Sequence, residues 1–282
     1  MSLSDPAAIL VTGASTGIGR ATALHMAARG YRVFAGVRSL ADAPPGTTPL
    51  LLDLSDASCI AAAADRLAEE NLAALINNAG FNYVSPFEYA DEESARRMME
   101  VNFFGLYRLS QACIPHLRRY AKAHPGKTAK LINISSIGGL IGIPWEVFYH
   151  ASKFAVVGLT EGLRSELWSQ NIRAVVICPG GVQTEFLPKT RRELQAATSR
   201  MPTSAPISYA VGLRRFENLT DAAGRFGSQP EAVALKIAAV IERQNPALRY
   251  LVGADACILF ALSRLLPQFA FSRLLRLQFA PA

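Results

Sequence analysis

Thr12-Gly13-Ala14-Ser15-Thr16-Gly17-Ile18-Gly19 decides how this chain folds. It joins a short apolar run, Ala8–Thr12, to a run of helical periodicity over residues 18–29 that stops at Gly30. Glycine turns the chain tightly and lets backbone N–H groups come close to a ligand. A helix start adds unsatisfied N–H groups and partial positive charge. A strand, a glycine-rich turn and a helix in this order therefore suit a pyrophosphate. Glycine-rich turns also occur without ligands, so the flanking elements carry the argument.

Outward from this turn, short β-rich runs alternate with longer helical ones. Strands are expected at Arg32–Val37, 50–52, 73–76, 130–134, 173–177 and Arg249–Val252, and helices at 55–70, from Asp91 toward Tyr120, and at 147–169. The strands are almost wholly apolar, as in a parallel sheet covered by helices on both faces. With right-handed crossovers this predicts a single-domain α/β Rossmann fold, a doubly wound parallel sheet of about seven strands. Residues 181–229 break the rhythm, being polar and rich in Pro, Ser, Thr and Arg, and read as an irregular substrate lid. Ser228-Gln229-Pro230-Glu231 then reads as a capping box, with serine at the cap and proline in the first turn. No repeat or linker divides residues 1–282.

Composition narrows the function. The 282 residues are half hydrophobic and 18% charged, which excludes a disordered chain. The formal charge of +7 is scattered and not interleaved with aromatics, so nucleic acid is not an expected partner. Cys59, Cys113, Cys178 and Cys257 form no C-x-x-C pair and are expected to be reduced and buried in a cytoplasmic protein. His25, His116, His124 and His150 show no metal-ligand spacing, so no metal site is expected. With a strand expected to begin near residue 8, no signal peptide is expected, and no stretch reaches the ~18 apolar residues of a membrane span. The apolar and basic segment 254–282 is expected to pack on a neighbouring subunit in preference to resting on a membrane surface.

Tyr149 and Lys153 lie four residues apart in a helical run and so share a face. A tyrosine is a poor base near neutrality, and a neighbouring ammonium is expected to stabilise its phenolate. His150 points about 100° away on the same helix and reads as structural.

These motifs together resemble the short-chain dehydrogenase/reductase family. The turn has the G-x-x-x-G-x-G spacing of that family; Asn77-Asn78-Ala79-Gly80 follows the fourth strand, and Asn102 sits in the next helix. Ser135-Ser136 ends the fifth strand, Tyr149-His150-Ala151-Ser152-Lys153 is the Y-x-x-x-K element, and Pro179-Gly180 with Thr184 closes the sixth. The resemblance covers residues 8 to about 185. It implies that Gly13, Ser15, Thr16, Gly17, Ile18, Gly19, Asp53, Leu54, Asn78, Ala79, Gly80, Pro179, Gly180, Val182 and Thr184 line a nicotinamide nucleotide. Asp53 reads equally as a helix cap. Val37 occupies the position that is acidic in NAD-preferring members, and Arg38 follows it, which favours NADP(H) over NAD(H). Arg38 has the alternative of being a plain surface arginine, and Thr16 stands where NADP-preferring members often carry a basic residue.

The resemblance further implies roles at the centre. Tyr149 would exchange the proton, and Ser136, with Ser135 as the neighbouring alternative, would hold the substrate oxygen. Lys153 would tune Tyr149 and hold the nicotinamide ribose. Asn102 would hold a water beside Lys153, or simply bend its helix. Residues 138–145, with Phe81, Tyr83, Val84, Phe148, Phe186 and Leu187, suggest an apolar pocket. The stretch 135–158 is similar to the 17β-hydroxysteroid and retinol dehydrogenase branch, implying a lipophilic carbonyl or alcohol substrate. Helices through Asn102–Tyr120 and 147–169 imply a homodimer or homotetramer. Rival readings are a non-catalytic NADP(H)-binding redox sensor, which the presence of both Tyr149 and Lys153 opposes, and an epimerase or dehydratase on the same fold.

Overall fold

The computed structural model describes residues 6–279. Seven parallel strands form one sheet: β1 (Ala8–Thr12), β2 (Arg32–Val37), β3 (Thr48–Leu51), β4 (Leu72–Asn77), β5 (Ala129–Ile134), β6 (Ile172–Pro179) and β7 (Arg249–Val252). Their order is β3-β2-β1-β4-β5-β6-β7. The chain winds outward from β1 to one edge, then returns to β4 and winds to the other. The reversal between β1 and β4 opens a crevice at the carboxyl ends of the strands, where ligands bind in such sheets. β1, β4, β5 and β6 are buried along their whole lengths, which explains their largely apolar character. β3 is an edge strand, and there Pro49 costs no ladder hydrogen bond that the sheet needs.

The flanking helices are α1 (Gly17–Ala28), α2 (Ala57–Arg66), α3 (Glu92–Met99), α4 (Leu106–Ala123), α5 (Val147–Glu166), α6 (Phe186–Arg200), α7 (Ile207–Phe226), α8 (Pro230–Glu242), α9 (Ala254–Leu265) and α10 (Gln268–Phe279). Several expectations are corrected. Asp91 does cap a helix, accepting from Ser94 N–H at 2.8 Å, but α3 ends at Met99. A widened π turn over Glu100–Gly105 then leads into α4. Residues 181–229 are not irregular. They hold α6 and α7, whose contact surface is a small apolar core of Leu194, Leu213 and Phe216 with Val84. The capping box does not form, because Gln229 occupies the cap position and its side-chain amide donates to Gln183 at 2.7 Å instead of bonding the first turn. Pro230 keeps its expected place in the first turn. Asp53 is not a helix cap either: Asp56 caps α2, accepting from Ser58 N–H at 2.8 Å. Cys113 and Cys178 are buried as expected, whereas Cys257 is exposed on α9. The expected C-terminal segment is two helices broken at Pro267, and residues 280–282 lie outside the described ones. No helix of the described residues is long and apolar enough to cross a membrane.

Candidate active site

The glycine turn is built from backbone geometry. Gly13 and Gly17 have φ of +62° and +55°, in the region that L side chains rarely adopt. Gly19 has ordinary φ but no room: a Cβ there would overlap the Gly13 carbonyl. The Thr12 hydroxyl accepts from the N–H groups of Asn78 (2.9 Å) and Ala79 (3.0 Å). The Asn78 amide returns a bond to the Thr12 carbonyl at 3.0 Å. The ends of β1 and β4 are thereby stitched into one frame. Asn78 spends its side chain bracing this turn, so any ligand would meet its backbone or its outer edge.

Thr16, the cap residue of α1, makes no side-chain bond to the first turn, so those N–H groups remain available. They face a cleft of about 680 Å³ lined by Ser15, Thr16 and Gly17 on one side and by Gln183, Thr184 and Leu187 on the other. Arg20 lines the same cleft, a cation that in the sequence is one arginine within a helical run. The Thr184 side chain packs where a Cβ of Gly17 would lie. Unsatisfied N–H groups, glycines without room for a side chain and a nearby guanidinium fit a pyrophosphate.

At the adenosine end, Arg38 is exposed just beyond β2. Asp53 accepts from the Ser55 hydroxyl at 2.7 Å and from its N–H at 2.8 Å. The hydroxyl bond leads in holding the Asp53 carboxyl below its ordinary range, and the Arg38 charge adds to it. Leu54 is buried, and its backbone packs where a Cβ of Gly105 would lie, so its side chain belongs to the core.

The catalytic candidates gather near the ends of β4 and β5 and on α5. Ser136 stands just after β5; its hydroxyl accepts from Gly138 N–H at 3.0 Å and lies close enough to Tyr149 to act on its phenol. Ser135 turns away, donating to the Lys153 carbonyl at 3.0 Å. The choice between the two serines falls to Ser136. Lys153 is buried, with Nζ donating to the Ile134 carbonyl at 3.0 Å and lying 5.8 Å from the Tyr149 ring centroid. Burial pulls the Lys153 ammonium down to about 8. Burial also raises the Tyr149 phenol above its ordinary value, Glu146 adds in the same direction, and only Ser136 opposes it. The expected depression of Tyr149 by Lys153 is therefore absent in the protein by itself. Desolvation outweighs an ammonium that is turned toward the Ile134 carbonyl.

Asn102 sits in the π turn. Its side chain accepts from Phe81 N–H at 3.0 Å and donates to the Phe81 carbonyl at 2.9 Å and to Ser152 Oγ at 3.2 Å. It thus pins the loop after β4 to α5. Gly80 leaves room beside it, since a Cβ there would stand 3.0 Å from Asn102 Oδ1 and 3.5 Å from Lys153 Nζ. At the end of β6, Pro179 and Gly180 lead to Gly181, whose N–H donates to Asp255 at 2.6 Å, while Val182 bridges to Ser228. A Cβ on Gly180 would overlap the Asp255 carboxylate. Asp255 thus fixes one wall of the cleft from α9; in the sequence it only interrupted an apolar run. His150 is buried, its Nδ1 2.8 Å from the Gly138 carbonyl, consistent with a structural role.

This geometry belongs to a known class. The short chain dehydrogenase family matches residues 7–195, and the chain is a member of that family. It is 32% identical over 262 residues to a 3-ketodihydrosphingosine reductase of Bacteroides thetaiotaomicron, covering 92% of this chain and 93% of that protein. It is 30% identical over 262 residues to 17-beta-hydroxysteroid dehydrogenase type 1 of Mus musculus, covering 87% and 73%. A short chain dehydrogenase from Burkholderia cenocepacia, solved in complex with NADP, superposes with a TM-score of 0.73 at 26% identity, covering 96% of this chain and 98% of that one. The protein is an oxidoreductase of the short-chain dehydrogenase/reductase type.

Proposed function

We propose that this protein is an NADP(H)-dependent reductase of lipophilic ketones or aldehydes. The observation that carries the reading is the grouping of Ser136, Tyr149, Lys153 and Asn102 near the ends of β4 and β5, in a sheet whose β1 ends in the glycine turn. The nucleotide, when bound, supplies the hydride in reduction and accepts it in oxidation. Gly13, Ser15, Thr16, Gly17, Ile18 and Gly19 would hold its phosphates, Asp53, Leu54, Asn78, Ala79 and Gly80 its adenosine side, and Pro179, Gly180, Val182 and Thr184 its nicotinamide side. Arg38, exposed at the end of β2 without a carboxylate at position 37, supports binding of a 2′-phosphate. The NADP in the Burkholderia cenocepacia relative agrees with that choice.

Tyr149, with its phenol raised by burial, keeps its proton at neutral pH. It is poised to give that proton to a carbonyl oxygen held by Ser136, which favours the reductive direction. Lys153 would steady the charge left on Tyr149 and hold a ribose hydroxyl. Phe186, its ring 5.9 Å from that of Tyr149, and Phe81 and Phe148, packed beside Tyr149, give the site apolar walls. Exposed Phe104, Tyr107 and Phe154 on the faces of the π turn, α4 and α5 support self-association. Replacing Tyr149 by Phe is expected to lower kcat by at least ~100-fold while NADPH still binds, as measured by single-turnover kinetics and nucleotide titration. Retained turnover would remove Tyr149 from its role and with it the proposed chemistry.

A further inference from the structure

The site contains a buried carboxylate for which the chemistry above has no use. Glu146 stands at the cap position of α5 with no side-chain bond to the helix, three residues before Tyr149. It is buried, and among the described residues no lysine or arginine lies within 4 Å of it. The Asn82 amide, from the loop after β4, donates to Glu146 Oε1 and lies 3.5 Å from the Thr190 hydroxyl of α6. His150 Nε2 stands 3.7 Å from Glu146 Oε2. Asn82, Tyr149, His150 and Thr190 are thus the polar side chains around Glu146, and none is a fixed cation.

The donors and acceptors do not balance. Because a carbonyl only accepts, the contact of His150 Nδ1 with Gly138 assigns the proton to Nδ1 and leaves Nε2 bare. Asn82 Oδ1 and His150 Nε2 are buried with no hydrogen-bond partner. Once its carboxyl is ionised, Glu146 Oε2 joins them, and the cluster holds three acceptors with no donor between them. Buried polar groups are normally satisfied, and a buried charge is normally paired. The cluster therefore lacks something that brings donors and positive charge. A hydroxyl brings one donor. A protonated primary amine brings three donors and the missing charge. His150 also belongs to the wall of a cavity of about 520 Å³ formed by Ile143, Pro144 and Trp145 of the loop after β5 and by Leu275 and Arg276 of α10. A polar cluster beside a mainly apolar cavity suits a hydrocarbon chain with a cationic end.

We propose that Glu146 and Asn82 form an acceptor subsite beside Tyr149 that selects lipophilic ketones carrying a protonated amine within a carbon or two of the carbonyl. The spacing follows from the ~5–6 Å that separates side-chain origins at i and i+3 on a helix. Burial, which pushes the Glu146 carboxyl up to about 7, is the energetic sign of the missing partner. The inference rests on the reductase reading for the carbonyl, but the subsite can be tested apart from turnover.

The test compares three long-chain ketones of equal length: a 2-amino-3-ketone, its 2-hydroxy counterpart and the plain 3-ketone, each with NADPH at pH 8. The amino ketone is expected to show kcat/KM at least tenfold above the plain ketone, mainly through KM, with the hydroxy ketone between them. In Glu146→Gln that ratio is expected to fall to near one. Equal kcat/KM in the wild type, or an undiminished ratio in Glu146→Gln, overturns the proposal. If no ketone is turned over, the reductase reading fails, and binding to the wild-type protein decides the subsite. The fluorescence of Trp145, next to Glu146 in the chain, then follows titration with dodecylamine and with dodecanol. Tighter binding of the amine supports the subsite, and equal binding overturns it.

Discussion

The two sides of the cleft are held by different means. On the side of the glycine turn, φ values, backbone carbonyls and the Thr12–Asn78–Ala79 bonds leave one arrangement available. On the side of α6 and α7, a few side chains do the work: the Leu194–Leu213–Phe216 core, Arg191 to Asp221 at 2.8 Å, and Tyr209 to Glu88 at 2.7 Å. Ile207 and Phe226 remain exposed at the ends of α7. Backbone constraints fix a nucleotide-sized geometry that tolerates little change. Side-chain packing can be retuned one residue at a time, which suits the side that meets the substrate.

The comparison breaks most visibly at Gly19. Gly19→Ala places a methyl on the Gly13 carbonyl, and the stitched frame leaves no way to move aside. NADPH affinity is expected to fall by at least ~100-fold with the sheet still folded, read by nucleotide titration alongside circular dichroism. Normal affinity would show that the turn yields after all. Arg38→Asp acts on the same side without touching the frame. Exchanging a guanidinium for a carboxylate beside a 2′-phosphate is expected to shift preference from NADPH toward NADH by about 10- to 100-fold. An unchanged ratio of kcat/KM for the two nucleotides would leave Arg38 a surface residue.

The same division explains what could be read from the sequence. Glycines at Gly13, Gly17 and Gly19 and the apolar strands are local signals, and the sheet, the turn and the convergence of Ser136, Tyr149 and Lys153 follow from them. The helices over residues 181–229 escaped notice because their polar composition reflects solvent-facing sides, while the apolar contacts that order them come from Val84 and Trp145, far away in sequence. Asp255 and Glu146 escaped for a related reason. Each is one acidic residue among many until the fold sets it against Gly181 or Asn82. The raised Tyr149 proton was likewise hidden, because burial is a property of the assembled site and the Y-x-x-x-K spacing carries only the presence of the lysine.

A milder change sharpens the contrast on the other side. Phe216→Leu loosens the α6–α7 core without emptying it. It is expected to raise KM for a lipophilic ketone a few-fold and leave NADPH affinity unchanged. An equal loss in both parameters would mean that the two sides are mechanically one.

Glu146 supplies an effect on stability with a defined sign. Its carboxyl holds a proton up to about 7 in the folded chain, against an ordinary value of 4.5, because burial disfavours the charged form. Between those two values the folded chain carries a proton that the unfolded chain has released. Stability from this group is therefore full below about pH 4.5, falls as pH rises through 7, and stays reduced above it. Lys153 works in a later window: its ammonium, pulled from 10.5 to about 8 by burial, makes stability rise with pH between those values. His150 is lowered by burial as well and faces Glu146, so single-protein pH curves mix these contributions. The difference between wild type and Glu146→Gln removes most of that mixing, since Gln keeps the shape and the acceptor for Asn82 and adds a donor toward His150. The variant is expected to match the wild type at pH 4.5 and to exceed it by about 1–2 kcal/mol at pH 8, measured by urea unfolding at both values. A gap that does not change with pH would mean that Glu146 is satisfied by partners in the folded protein, and the acceptor cluster beside Tyr149 would then have no charge left to offer a substrate amine.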